Sequence, residues 1–155
     1  MNNKSVLLDN IGELVTANAS SVKTIKNTSI LIQNGKITSI GKGKVDNVIN
    51  CEGKMVTCGF IDSHTHPVFY SKRNKEYAMR IAGLSYEQIA EKGGGIVSSV
   101  EGVRKTSKSQ LIEKVKERMD RFIANGTTTI EAKSGYGLNT QSELKSLDVI
   151  GEVNK

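Results

Sequence analysis

The sequence predicts an α/β fold in which a strand-rich segment, residues 1–58, precedes a stretch of alternating strand and helix, residues 59–155, that starts a parallel sheet. Three observations predict it. Up to about residue 58 the chain is a series of short β-branched runs broken by turns. After Gly59 the texture changes to helical segments with start signals, separated by apolar stretches that read as buried strands. The resulting order of strand, helix, strand, helix is the rhythm of βα units that build a parallel sheet.

In the first segment, "SVLLDNIGELVT", "SILIQNGKITSIGKG" and "NVINCEGKMVTCGF" read as antiparallel strands. Ile30, Ile32, Ile37 and Ile40 flank Asn34-Gly35, a two-residue hairpin signal. In the second segment, Ser85 and Gln88 fit a capping box that opens a short helix, which the glycines at 93, 94 and 95 stop. Ser107 with Gln110 repeats the signal. The helix it opens places Leu111, Ile112, Val115, Met119, Phe122 and Ile123 on one face, and Asn125-Gly126 closes it. "TTTIEAKSGYG" then reads as a strand ending in glycines. Thr140 with Glu143 forms a third capping box before the periodic positions Leu144, Leu147, Ile150 and Val153. A closed (β/α)8 barrel needs about 250 residues, so this stretch is expected to be the front end of something larger.

Composition narrows the classes. The formal charge is +6, but Lys23, Lys26, Lys36, Lys42 and Lys44 are scattered singly rather than clustered with aromatics, which argues against a nucleic-acid partner. Cys51 and Cys58 lack CxxC spacing and are too few for a disulfide scaffold, so they are expected to be buried thiols in a reducing compartment. No apolar run is long enough to span a bilayer and no leader pattern opens the chain. The expectation is a cytoplasmic protein with no membrane partner.

Both histidines lie in "GFIDSHTHPVF". Side chains two apart on a strand point to the same side, so His64 and His66 present both imidazoles together while Thr65 points away. At the end of a barrel strand that side is the face where active sites of this architecture lie. The pair suits a divalent metal; equally, the HxH pattern by itself fits ordinary loop or core histidines.

"GFIDSHTH" following a strand-rich segment resembles the first metal-binding motif of the amidohydrolase superfamily, whose members hydrolyse C–N bonds with a metal-activated water. The resemblance narrows through "HTHPVF", "SKRNKEYAMRIAGLSYEQIAEKGGGIVSSV" and "GTTTIEAKSGYGL", which look like the imidazolonepropionase family of histidine degradation. It covers Gly59 to Lys155, more weakly the residues before. It implies an amidohydrolase (β/α)8 TIM-like barrel, incomplete in this chain, preceded by the 1–58 strands as part of a small composite β-sandwich. It further implies hydrolysis of 4-imidazolone-5-propanoate to N-formimino-L-glutamate.

Carried over by residue, the resemblance makes His64 and His66 ligands of one divalent metal, zinc or iron. Arg73 matches the family arginine that contacts the substrate, and its permanently charged fork suits a carboxylate tail. Tyr136 in SGYGL matches a substrate-binding tyrosine, and Tyr86 matches another. Read without the family, Arg73 is a solvated charge and Tyr136 a turn aromatic. Lys133 invites comparison with the carbamylated lysine of two-metal amidohydrolases; the resemblance is to the single-metal branch, and Lys133 stays unassigned. Asn50, Cys58 and Pro67 depart from frequent superfamily residues without removing a ligand.

A catalytic zinc takes about three protein ligands plus water, and there are two histidines here. By resemblance, the remaining ligands and the acid and base residues lie beyond position 155, leaving no catalytic residue within this chain. The expectation is an N-terminal portion that is inactive alone, its missing C-terminal part lying in the same or a separate polypeptide; the expected macromolecular partner is that missing part or a second copy in a homodimer. The alternatives are another cyclic amidohydrolase or aminohydrolase, and a non-catalytic remnant or interaction module.

Overall fold

The computed structural model describes residues 5–18, 20–41 and 43–155; Lys42, one of the scattered lysines, lies outside them. The chain divides into two compact units, Met1–Cys58 and Gly59–Lys155.

The first unit is a five-stranded mixed sheet. Strand β1 (Ser5–Ala17) pairs antiparallel with β2 (Val22–Gln33), which pairs antiparallel with β3 (Lys36–Ile40). Asn34 and Gly35 join β2 to β3 with φ of 52° and 75°, the two positive values a primed hairpin turn demands. The far side of β1 carries two three-residue strands, β4 (Val48–Asn50) and β5 (Met55–Thr57). Both run parallel to β1, which corrects the expectation of an antiparallel segment. The reason is that β3 and β4 are joined by a connection rather than a hairpin, so the chain crosses to β1's free edge. Ile11, Leu14 and Ile30 are buried here, with Leu8, Ile25, Ile32, Cys51 and Val56 packed on them. Cys51 is only half-buried and Cys58 is exposed, so the cysteines are not the buried pair expected; both are free thiols.

In the second unit, β6 (Phe60–Thr65) and β7 (Thr127–Ala132) form a parallel pair. Four helices lie between them: α1 (Asn74–Ile81), α2 (Tyr86–Glu91), α3 (Ile96–Lys105) and α4 (Lys108–Ala124); α5 (Thr140–Val153) follows. The boxes at Ser85/Gln88 and Ser107/Gln110 both form. The third does not. Asn139, not Thr140, caps α5 by accepting from the Ser142 amide, and Glu143 turns back to other donors.

The core is Val68, Val103, Leu111, Val115 and Val149, with Ile112, Met119, Tyr136, Ile150 and Val153 packed on it. Two apolar expectations fail. Ile123 at the end of α4 is exposed, and on α5 the outward face carries Leu144 and Leu147 while Ser142, Ser146 and Val149 face inward. Ser146 tolerates burial because its hydroxyl donates to the Ser142 carbonyl one turn earlier. No helix among the described residues is long and apolar enough to cross a membrane.

Candidate active site

The C-terminal end of β6 positions the histidines. Thr65 is buried and its hydroxyl donates to the Glu131 carbonyl on β7 at 2.7 Å, while the Lys133 amide donates to the Thr65 carbonyl at 2.9 Å. With Thr65 pinned toward the neighbouring strand, the residues on either side project together: the His64 and His66 rings lie 5.4 Å apart between centroids. His66 Nδ1 is buried and has no hydrogen-bond partner among the described residues. A buried ring nitrogen without a partner is costly unless something satisfies it. Lys133 Nζ stands 3.5 Å from His64 Nδ1 and 3.6 Å from the Glu131 carboxylate.

The residues after β7 close on His66. Tyr136 stacks at a tilt against the His66 ring, 5.6 Å between centroids, and meets Phe69 edge-on at 6.4 Å. Gly135, at φ 141°, lies so near that a Cβ there would stand 2.9 Å from His66 Cε1. Only a residue without a side chain fits.

Arg73 and Tyr136 line one cavity of about 380 Å³, together with Phe69, Ser71, Lys72, Asn74 and Ser99. Arg73 precedes α1 and donates through Nε at 2.7 Å, and through Nη2, to one Glu76 oxygen. The Glu76 hydrogen bond holds Arg73 above the ordinary arginine value, and that same bond holds Glu76 below the usual carboxylate range, the Gly95 amide adding to it. The middle glycine of the run at 93 to 95 is required by closeness: a Cβ on Gly94 would meet Ile89 at 2.8 Å and Glu76 Cδ at 3.2 Å. Tyr86 is half-exposed beside Gly95 and is not among the residues lining the Arg73–Tyr136 cavity.

A second recess of about 430 Å³ opens on the other side of His66 and Phe69, walled by Pro67, Phe122 and Arg118. The Arg118 guanidinium sits 3.5 Å over the Phe69 ring and donates to the Pro67 carbonyl, so this recess offers mainly hydrocarbon.

His64, His66 and Tyr136 therefore come together, Arg73 shares a cavity with Tyr136, and Tyr86 stands apart behind the glycine turn. Sequence reasoning missed Glu76 and Glu143. The first was visible as an acid three residues after Arg73 on a helix; the second was read as a cap. Among the described residues, no three His, Cys, Asp or Glu side chains gather closely enough to hold a metal by themselves.

No family model matches the chain. Curated relatives do. Imidazolonepropionase of a Bacillus cereus strain is 41% identical over 165 aligned residues, and that of a Bacillus mycoides strain 39%. Each alignment covers 96% of this chain and 39% of the relative, so the chain spans about two fifths of their length. Among solved structures, a variant of atrazine chlorohydrolase from Arthrobacter aurescens TC1, complexed with zinc and atraton, superimposes with a TM-score of 0.64 at 17% identity, covering 95% of this chain and 33% of that one. Guanine deaminase from C. acetobutylicum, with bound guanine, gives 0.50 at 16%, covering 96% and 34%. These neighbours are amidohydrolase barrel enzymes, and the chain shares the fold of about one third of each.

Proposed function

We propose that this chain, an imidazolonepropionase homologue over nearly its whole length, supplies two metal ligands and the substrate's carboxylate site to a hydrolase that opens 4-imidazolone-5-propanoate to N-formimino-L-glutamate. The observation that carries the reading is the position of Tyr136, whose ring touches His66 on one side and shares a cavity with Arg73 on the other. A substrate in that cavity would have its anionic tail at the arginine and its ring toward the histidines.

The donor set fits a metal. Two adjacent imidazoles, one with a buried unpartnered nitrogen, are a combination that a divalent zinc or iron ion would complete. Such an ion polarises a carbonyl and lowers the pKa of water toward about 7.

The chain's own residues do the rest of what is assigned here. Arg73 receives the propanoate through the edge of the guanidinium that Glu76 leaves free. Tyr136 offers a phenolic hydroxyl and an aromatic wall. Phe69 and the buried side of the Tyr136 ring keep water from that wall. Tyr86, a substrate contact by resemblance, stands at the glycine turn and is not part of this cavity's wall. With two histidines where about three protein ligands are needed, these 155 residues hold an incomplete metal site, and the chain by itself is inactive.

A chimera tests the reading. This chain, exchanged for the matching segment of the Bacillus cereus enzyme, is expected to hydrolyse 4-imidazolone-5-propanoate and to lose that activity with His66→Ala. A folded chimera that binds metal but does not turn over this substrate contradicts it. Turnover by the homogeneous 155-residue chain alone contradicts the incomplete-site part.

A further inference from the structure

The turn from Ser134 to Leu138 is held from two sides by helices that neither bear a metal histidine nor reach the cavity with a charged group. From α5, Glu143 Oε1 accepts the amides of Gly137 at 2.8 Å and Leu138 at 2.7 Å. Its other oxygen is buried and has no hydrogen-bond partner among the described residues. Burial raises the Glu143 carboxyl, but Ser134 and the amides of Leu138, Gly137 and Gly135 together outweigh it and hold the group below the usual range. From α3, Arg104 donates to the carbonyls of the same two residues: Nε to the Gly137 carbonyl at 2.8 Å and Nη2 to the Leu138 carbonyl at 3.1 Å.

The two helices are themselves tied. Lys145 of α5 donates to the carbonyls of Val103 and Thr106 at 2.7 and 2.9 Å, at the C-terminal end of α3, where cations are favoured. The turn needs such support. Leu138 sits at φ 51°, uncommon for a leucine, and Gly137 packs so close to α5 that a Cβ would stand 2.6 Å from Ser142 Cβ. A charged acceptor on the amides and a charged donor on the carbonyls are the stronger class of hydrogen bond.

We propose that Glu143 and Arg104 are positioning residues: together they fix the Ser134–Leu138 turn, and through it hold the Tyr136 ring against His66 and the wall of the Arg73 cavity. The functional consequence rests on the reading of Tyr136 as a substrate contact; the positioning does not.

Proton NMR on the 155-residue chain tests it without substrate, since two histidines give two resolvable Cε1 proton signals. The wild-type chain is expected to show the Gly137 and Leu138 amides protected from exchange and a cross-relaxation peak between the Tyr136 ring and His66. Glu143→Ala is expected to speed exchange at those two amides on the order of tenfold or more and to weaken the Tyr136–His66 peak. Glu143→Gln, which keeps an acceptor oxygen, retains most of both. Arg104→Ala, acting from α3, weakens the same peak, so the proposal stands or falls even where Glu143→Ala does not fold. Freely exchanging Gly137 and Leu138 amides in the wild type, or folded Glu143→Ala and Arg104→Ala chains with an unchanged peak, overturn it. Loss of hydrolysis in the chimera with these readouts intact would count against the functional reading alone.

Discussion

Arg73 and Tyr136 line the same cavity from opposite kinds of support. Tyr136 packs on the buried core and rides on a turn bound on both faces by charged side chains. Arg73 precedes α1, a helix with no buried residue, and is oriented by one ion pair with Glu76 at the glycine turn. One wall of the site is fixed by core packing together with two part-buried charged side chains bonded to its backbone, the other by a single ion pair at the surface. The difference suits the chemistry proposed for each: an aromatic wall must hold one geometry, whereas a guanidinium can receive a carboxylate after a small adjustment.

The largest expected effect comes from undermining the packed wall. Leu111→Ala removes a fully buried side chain from the cluster on which Tyr136 rests. It is expected to cost about 2–5 kcal/mol in urea unfolding of the second unit. A loss under about 1 kcal/mol would mean that this cluster is not the support of the turn.

Next is Gly137→Ala. The added Cβ meets the Ser142 backbone at 2.7 Å, which a side-chain adjustment cannot relieve. A cost of about 1–3 kcal/mol is expected, and the cross-relaxation peak between Tyr136 and His66 should vanish. A neutral result would show that the α5 start yields easily.

Much of this was legible in the sequence, for physical reasons that also mark where it was not. The capping boxes at Ser85 and Ser107 are local, four-residue interactions, and both form as read. The hairpin at Asn34-Gly35 is equally local. The parallel pairing of β4 and β5 with β1 depends on which edge is free forty residues earlier, and no short pattern encodes that. Thr140 and Glu143 match a capping box, but Asn139 is the better-placed acceptor, and Glu143 is drawn to the Gly137 and Leu138 amides. The same competition conceals the clamp: Glu143 reads as a cap and Arg104 carries no local signal, and the two come together only at the turn. Leu144 and Leu147 read as core because leucine usually is, yet α5 turns Ser142 and Ser146 inward.

The charge-held wall should respond to solution conditions. Glu76→Gln is expected to cost about 1 kcal/mol or less in stability, because Arg73 is partly exposed, and to weaken carboxylate binding at Arg73. Glu76 has its carboxyl lowered by the Arg73 hydrogen bond, against burial, with help from the Gly95 amide and Arg80. Its stabilising contribution is therefore present above the ordinary glutamate range and disappears as the pH falls through its lowered value. Added salt weakens this pair and leaves the Tyr136 turn in place; thermal melts and Arg73 Nε exchange at two ionic strengths read the contrast. Equal salt sensitivity on both walls would erase the distinction.

The smallest effect belongs to Ile81→Ala at the end of α1, whose side chain is exposed. A change within about 0.5 kcal/mol is expected. A larger one in these 155 residues would show α1 to be packed, and Arg73 to be held by more than charge.

The most direct test of the proposed two-histidine metal site is a Zn²⁺ titration of the 155-residue chain, followed at the two histidine Cε1 signals. Weak binding is expected, moving both signals together and disappearing in His64→Ala and in His66→Ala. Binding that survives in the double variant, or that moves neither histidine, would contradict it.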